Sequence, residues 1–160
     1  MRIWHGLYSI VLVVWCSLIL GTHPGYATML KMSVEDLARQ ADTIVVGTVA
    51  RQESAWDTQH TAIYTDVTVV VERVLAGTSV DTVTLRIAGG TVGGMGMRTS
   101  NDPVFRDGER VIVFLDTTAV PSSVVGMQQG KFTVKDDLVT QADETVSLEE
   151  FMATVRSATH

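Results

Sequence analysis

Cysteine is nearly absent from this 160-residue chain, and its only cysteine, Cys16, lies in an apolar segment near the N-terminus. If that segment is removed, the rest of the protein has neither disulfides nor thiolate metal sites to stabilise it. Proline and histidine are also scarce, with three and four residues. Basic residues occur singly and form no stripe, which argues against nucleic acid and anionic membrane surfaces as partners.

The first residues have the pattern of a secretory signal peptide. Arg2 supplies a basic end, an apolar run extends from Leu7 to Leu20, and the small-x-small sequence Gly25-Tyr26-Ala27 is typical of a cleavage site. We therefore expect residues 1–27 to be removed and residues 28–160 to form a single exported domain, periplasmic or secreted, without a stable membrane span.

Two other fates of the leader stay open. It could be retained as an anchor, although its apolar run falls short of the about 20 residues that span a bilayer. Lipidation at Cys16 is the second alternative, but Trp15 stands where lipidated leaders resemble one another in having a small residue.

The expected mature domain is acidic. Loss of Arg2 leaves 11 of the 12 basic residues against 18 acidic ones, so the formal charge is −7. The content of Val, Ile and Leu is high, and a domain of about 130 residues buries enough apolar surface to fold alone.

Two short helices are predicted, one at each end of this domain. The first is indicated by apolar residues at helical spacing: Val34, Leu37, Ala38 and Ala41. The second has the same spacing in Leu148, Phe151, Met152 and Val155. The pairs Ser33 with Asp36 and Ser147 with Glu150 resemble capping boxes at their starts.

Short β-branched and alternating segments between the helices predict strands. They cover residues 43–49, 63–75, 82–87, 111–115, 124–127 and 131–135. Gly47 inside the first strand indicates a bulge or a close backbone approach. Arg51–His60 is predicted to be a loop, and the last two strands a hairpin about residues 128–130.

Several sequence signatures together resemble a known class of bacterial exported domains. They are Ala41–Val49, Val71–Gly77, Gly89-Gly90, Phe105–Val111, Phe114-Leu115 and Gln129–Phe132. This class is similar to the netrin-like and tissue-inhibitor-of-metalloproteinases module. The resemblance implies a mainly β fold, a small five- to six-stranded OB-fold-like barrel with a short N-terminal helix and a C-terminal helix.

The chain departs from the inhibitors of that family at its expected mature start. Those inhibitors resemble one another in having an N-terminal cysteine, held by disulfides, that chelates the zinc of the protease. Here the expected first residue is Thr28, and no cysteine remains. The resemblance therefore implies the fold without the inhibitory wedge.

The glycine-rich segment around Gly93, Gly94 and Gly96 invites comparison with phosphate-binding loops. Neither a glycine at position 99 nor a Lys-Ser or Lys-Thr pair follows, and the segment leads toward Asp102 and Pro103. A mobile connection between strands is the alternative, in which the glycines allow positive φ.

Two kinds of metal site are conceivable. Met95, Met97, Met127 and His60 are soft ligands of the kind that bind Cu(I), although methionine is used more often to fill gaps in cores. The acidic pairs Asp136-Asp137 and Asp143-Glu144 lack the spacing of a calcium loop and are expected to be solvated turns. We expect no metal and no cofactor.

Catalytic residues are sparse. Only His60 and His160 remain after the leader, and no nucleophile motif accompanies either. Glu72 and Asp66 could act as an acid–base pair, but both are predicted on the wet face of one strand. We therefore expect a protein that is not an enzyme.

The leading hypothesis is a non-enzymatic binding module whose partner is another exported or envelope protein. Recognition is assigned to the barrel-rim loops, Arg51–His60 and Gly89–Asp102. The candidate contact residues are Trp56, Gly89, Gly90, Gly94, Met95, Met97 and Arg98. Trp56 either anchors a partner or folds back over the barrel. The alternatives are a modulator of an extracellular metallopeptidase and a small hydrolase with an unrecognised site.

Overall fold

The computed structural model describes residues 30–159. The predicted leader, with its cleavage site and Cys16, lies outside the described residues, as does His160. Within residues 30–159, no helix is both long enough and apolar enough to cross a membrane.

The described chain contains two α-helices, ten strands and one 3-10 helix. In chain order they are α1 (Val34–Gln40), β1 (Thr43–Trp56), β2 (Ile63–Ala76), β3 (Thr82–Ala88), β4 (Gly90–Val92), β5 (Met95–Met97), β6 (Arg110–Asp116), β7 (Ser123–Val124), the 3-10 helix (Met127–Gly130), β8 (Lys131–Lys135), β9 (Leu138–Gln141), β10 (Glu144–Ser147) and α2 (Leu148–Ala158). The prediction of a mainly β fold with a helix at each end is confirmed.

Eight strands form one sheet of antiparallel pairs, in the order β10-β9-β8-β6-β1-β2-β3, with β7 paired to β6. The short strands β4 and β5 form a separate hairpin. Both helices begin at a capping serine, since Ser33 accepts a hydrogen bond from the amide of Asp36 and Ser147 from that of Glu150.

The hairpin of β1 and β2 is the longest paired unit, extending from Ile44 opposite Ala76 to Trp56 opposite Ile63. Register shifts interrupt the pairing, one of them at Gly47. A Cβ atom on Gly47 would lie 2.4 Å from the carbonyl oxygen of Val70, so the two backbones approach too closely for any other residue. The close approach predicted at Gly47 is present.

The predicted loop Arg51–His60 is wrong over its first half. β1 continues to Trp56, and only residues 57–62 connect it to β2. Arg51 and Glu53 are exposed while Gln52 and Ser54 are half-buried, which is the alternation of a strand. Pairing with β2 along its whole length overrides the weak strand propensity of these polar residues.

The predicted hairpin of residues 124–127 with 131–135 is also wrong. β7 pairs with β6, and β8 pairs with β6 and β9. Gly130 packs against this part of the chain, because a Cβ atom there would lie 2.0 Å from the carbonyl oxygen of Val125. The turn that does follow β8 is Asp136-Asp137, both with positive φ.

The sheet is not closed into a barrel by a continuous ladder. Between β3 and the start of β7 there is one parallel bridge, Leu85 with Ser122. Its two hydrogen bonds run from the Arg86 amide to the Ser122 carbonyl at 2.8 Å and from the Ser122 amide to the Thr84 carbonyl at 3.1 Å.

Two apolar clusters lie on opposite faces of the central strands. On one face, Phe114 and Phe132 pack against Phe151 of α2, with ring centroids of Phe132 and Phe151 4.7 Å apart. On the other, the cluster includes Val113, Leu85 and Phe105. Because β6 is covered on both faces, its core positions are continuously apolar.

Candidate partner-binding groove

Hydrogen bonds fix the backbone where the glycine-rich segment leaves β3. The Thr65 hydroxyl donates to the Gly89 carbonyl at 2.7 Å and lies 2.8 Å from the Ser54 hydroxyl. Gly90 has φ +140°, and a Cβ atom on it would lie 2.4 Å from each of these two hydroxyl oxygens. Glycine is therefore required where the chain turns from β3 into β4.

A groove of about 700 Å³ lies where the β4–β5 hairpin and the segment 98–105 face the ends of β1, β2 and β3. Its lining residues are Gln52, Ser54, Thr65, Ile87, Ala88, Gly89, Gly90, Thr91, Gly96, Met97, Arg98, Thr99, Asp102, Pro103, Val104 and Phe105. The lining combines backbone, hydroxyl groups and apolar side chains, which suits an amphipathic ligand.

The neighbourhood of the groove exposes apolar side chains and one cation. Val104 on the groove wall is 50% exposed, and Met95 in the hairpin is 60% exposed. Within residues 30–159, the Arg98 guanidinium forms no ion pair. Arg98 and Val104 also line an adjoining hollow of about 320 Å³, together with Gln128.

Phe105 on the groove wall packs next to a nearly buried ion pair. The Lys131 ammonium lies 5.5 Å from the centroid of the Phe105 ring and is paired with the Glu109 carboxylate. Glu109 also accepts hydrogen bonds from the Thr133 hydroxyl at 2.7 Å and the Arg106 amide at 3.1 Å. The pair thus fixes the turn that carries Phe105.

The carboxylate of Glu109 is largely buried, and both of its oxygens accept hydrogen bonds. Burial by itself would raise its pKa, but hydrogen bonds from Lys131 and Thr133 outweigh that effect and hold the pKa below its ordinary value. Glu109 is therefore ionised at neutral pH, and its role here is to position the groove wall.

The predicted contact residues separate into three groups in the structure. Gly89, Gly90, Met97 and Arg98 line the groove together. Gly94 and Met95 lie beyond it in the hairpin, where nothing lies within 4 Å of a Cβ built on Gly94. Trp56, for which anchoring a partner and folding back over the barrel were the two alternatives, is half-buried at the end of β1 and stacks on His60 at a centroid distance of 6.2 Å.

The candidate acid–base pair is engaged in ion pairs on the exposed face. The Arg86 guanidinium binds Asp66 at 2.7 and 2.8 Å, and its hydrogen bonds lower the Asp66 pKa. Burial opposes ionisation of Glu72, but hydrogen bonds from Thr48 and Arg110 outweigh it, so the pKa of Glu72 is also lowered. Both carboxylates therefore stay charged.

The candidate metal residues are distributed over separate elements. Asp136-Asp137 is the turn between β8 and β9, Asp143 lies in the turn after β9, and Glu144 on β10 pairs with Lys31. Within residues 30–159, no group of three or more His, Cys, Asp or Glu side chains could hold a metal ion.

Several groove residues are not predicted by the sequence. Ser54 and Thr65 become neighbours only because the register of β1 and β2 places them opposite one another. Pro103, Val104 and Phe105 belong to a segment predicted only as a connection. The one available signal was Phe105 and buried Pro103 just before the Asp107-Gly108 turn, since apolar residues in a loop indicate that it packs on something.

Comparison with known proteins gives no match: no protein-family model fits the chain, and no curated protein or solved structure is significantly similar to it.

Proposed function

We propose that this protein is an exported, non-enzymatic binding module, and that the groove beside the β4–β5 hairpin holds another exported or envelope protein. One observation carries the proposal: specific polar contacts fix the shape of the groove. The hydroxyls of Ser54 and Thr65 hold its floor, and the Glu109–Lys131 pair holds its wall. Fixed sites lose little entropy when they bind.

The lining indicates what a partner would offer. Gly96 has no side chain, and the atom nearest to a Cβ built there is the Thr91 hydroxyl oxygen at 3.6 Å, so a partner segment can approach this backbone closely. Met97 is an adaptable apolar surface, and Arg98 is available to a carboxylate. We propose that the partner presents an extended segment with an apolar side chain beside an acidic one.

We also propose that the sheet is the OB-type barrel of the netrin-like module. The order β1-β2-β3-β7-β6 returns to β1, because β6 pairs with β1. The Leu85–Ser122 bridge is the contact at which this five-stranded ring would close. The groove would then lie at one rim of the barrel, where loops carry recognition.

Site-specific photo-crosslinking in the native cells tests the proposed function. A photoreactive amino acid is placed at Val104 on the groove wall and, in a matched protein, at Val120, which is 96% exposed and does not line the groove. We expect one protein to be captured from Val104 and not from Val120. Equal capture from both positions, or no capture from Val104, would contradict the proposal.

The identity of the captured protein, together with activity assays, separates the alternative functions. If the captured protein is a metallopeptidase whose turnover changes when this protein is added, the module is a modulator of that enzyme. Turnover by the purified protein that is lost in His60→Ala would identify a hydrolase instead. Neither result is expected from a binding module whose partner is not a peptidase.

A further inference from the structure

A second hollow, of about 610 Å³, lies between α2, the end of β2 and the start of β6. We name it the arginine hollow after Arg73, Arg110 and Arg156, which all line it. It shares no lining residue with the groove, so a ligand of the arginine hollow is independent of the proposed function.

The three arginines are not equivalent. Arg110 is neutralised, since its guanidinium lies 2.7 Å from Glu72 and 3.4 Å from Asp137. Arg73 donates to the sulfur of Met152 at 3.4 Å, and a thioether is a weak acceptor. Within residues 30–159, no carboxylate lies within 4.0 Å of the guanidinium of Arg73 or of Arg156, although the described chain is acidic.

These two guanidinium groups border the same space. Met152 and Arg156 occupy successive turns of α2, so their side chains are neighbours on one helix face. Arg73 approaches the same face from β2, because it contacts Met152. Two cations without acidic partners among residues 30–159 therefore line the same hollow as the apolar side chains of Met152 and Leu148.

The acidic residues of the hollow limit the charge of a ligand. Glu72 and Asp137 are paired with Arg110, but Glu149, in the first turn of α2, has no ion-pair partner among the described residues. With three acidic and three basic residues around it, the hollow disfavours a dianion such as phosphate. A single negative charge next to an apolar group fits better, because Arg73 and Arg156 offer bidentate donors and Met152 offers an apolar contact.

We propose that the arginine hollow binds a carboxylate attached to an apolar group, as found at the C-terminus of a peptide or in a free aliphatic acid. Arg73 and Arg156 donate hydrogen bonds to the carboxylate oxygens. The apolar part packs against Met152 and Leu148, while the remaining volume stays hydrated.

Two probes that differ only in charge test this proposal. N-acetyl-leucine carries a carboxylate beside an apolar side chain, and N-acetyl-leucinamide has the same shape without the charge. Titrations followed by amide chemical shifts are expected to show the acid binding about tenfold more tightly than the amide, because only the acid accepts charge-assisted hydrogen bonds from the guanidinium groups. Inorganic phosphate is expected to bind more weakly than the acid.

Variants locate the site. Arg73→Gln and Arg156→Gln are each expected to weaken binding of N-acetyl-leucine about fivefold, whereas Arg106→Gln, an exposed arginine outside the hollow, leaves it unchanged. Thermal unfolding of each variant checks that the fold is intact. Equal binding of acid and amide, or affinity unchanged in both hollow variants, would overturn the proposal.

A last pair of probes distinguishes the source of the carboxylate. The peptide acetyl-Leu-Ala-Leu is compared with a free and with an amidated C-terminus. Tighter binding of the free peptide than of N-acetyl-leucine would identify a peptide C-terminus as the ligand. The reverse order would identify a small carboxylic acid, and either result keeps the carboxylate site.

Discussion

Lys131 and Glu109 are the least exposed of the ion-paired side chains, with 11% and 9% of their surface accessible. A buried pair of this kind is not a simple gain in stability, since both charges lose their hydration. The pair is nevertheless hard to break, because removal of either partner leaves the other charge buried and unpaired. We therefore place the pair among the residues that shape the groove through Phe105.

Lys131→Met removes the cation and keeps most of the apolar stem. It leaves the Glu109 carboxylate buried without its partner, so we expect the free energy of unfolding at pH 7 to fall by roughly 3 kcal/mol. Urea denaturation measures this. Lys135→Met is the matched control, because Lys135 is exposed and forms no ion pair among residues 30–159, and it should cost less than about 0.5 kcal/mol. Similar losses in the two variants would contradict the account.

The pH dependence of stability tests the same carboxylate. Because its pKa is lower in the folded protein, Glu109 contributes stability above its unfolded pKa, and this contribution is lost as the pH falls through the folded value. Wild type should therefore lose more stability than Glu109→Gln below about pH 4.5. Parallel stability curves for the two proteins between pH 8 and pH 3 would show that Glu109 is not held in its ionised form.

The β4–β5 hairpin depends on two glycines in different ways. Gly90 sits against the hydroxyls of Ser54 and Thr65, whereas Gly94 has positive φ but no neighbour within 4 Å of a Cβ position. Gly90 is constrained by its neighbours and by its positive φ, whereas Gly94 is constrained by its positive φ alone. The hairpin is thus rigid where it meets the sheet and accessible at its tip.

Gly90→Ala should cost about 2–4 kcal/mol, since overpacking adds to backbone strain. Gly94→Ala, with strain only, should cost about 1 kcal/mol. Urea denaturation compares the two, and hydrogen exchange shows whether amides of residues 89–97 lose protection in the first variant alone. An equal loss of unfolding free energy in the two variants would mean that the side chains of Ser54 and Thr65 move aside easily.

Elements with strong local patterns could be predicted from the sequence, and those defined by pairing could not. The capping serines and the continuous apolar run of β6 predicted α1, α2 and a central strand. Residues 51–54 are polar and show no strand pattern, yet residues 51–56 belong to β1 because they pair with β2. β7 is only two residues long, and its pairing with β6 depends on the tertiary fold.

Only some of the residues that line the groove were among the predicted contact residues, because the others are brought there by strand pairing. Gly89 and Gly90 marked a backbone that needs unusual dihedral angles, and that local requirement is visible in a sequence. The hydroxyl floor and the Phe105 wall bring together residues far apart in the chain, 11 positions for Ser54 and Thr65 and 22 for Glu109 and Lys131. Such contacts depend on register, which the sequence does not show.

At the scale of the whole molecule, the Leu85–Ser122 bridge decides whether the sheet behaves as a ring. The Arg86 amide donates to Ser122 across this bridge, while the Thr84 amide faces the same side of β3 by strand alternation. We expect hydrogen exchange of Arg86 to be at least about tenfold slower than that of Thr84. Equally fast exchange at both amides would indicate that β3 is an open edge in solution.

We propose that a partner protein is held in the groove beside the β4–β5 hairpin. The most direct measurement is quantitative recovery of interacting proteins from the native cells with tagged wild type, Val104→Asp and Val120→Asp. A charge at position 104 would be buried only when the partner binds, so it should reduce recovery of the specific partner at least about tenfold in Val104→Asp, with recovery unchanged in Val120→Asp. Full recovery with both variants would contradict binding at this groove.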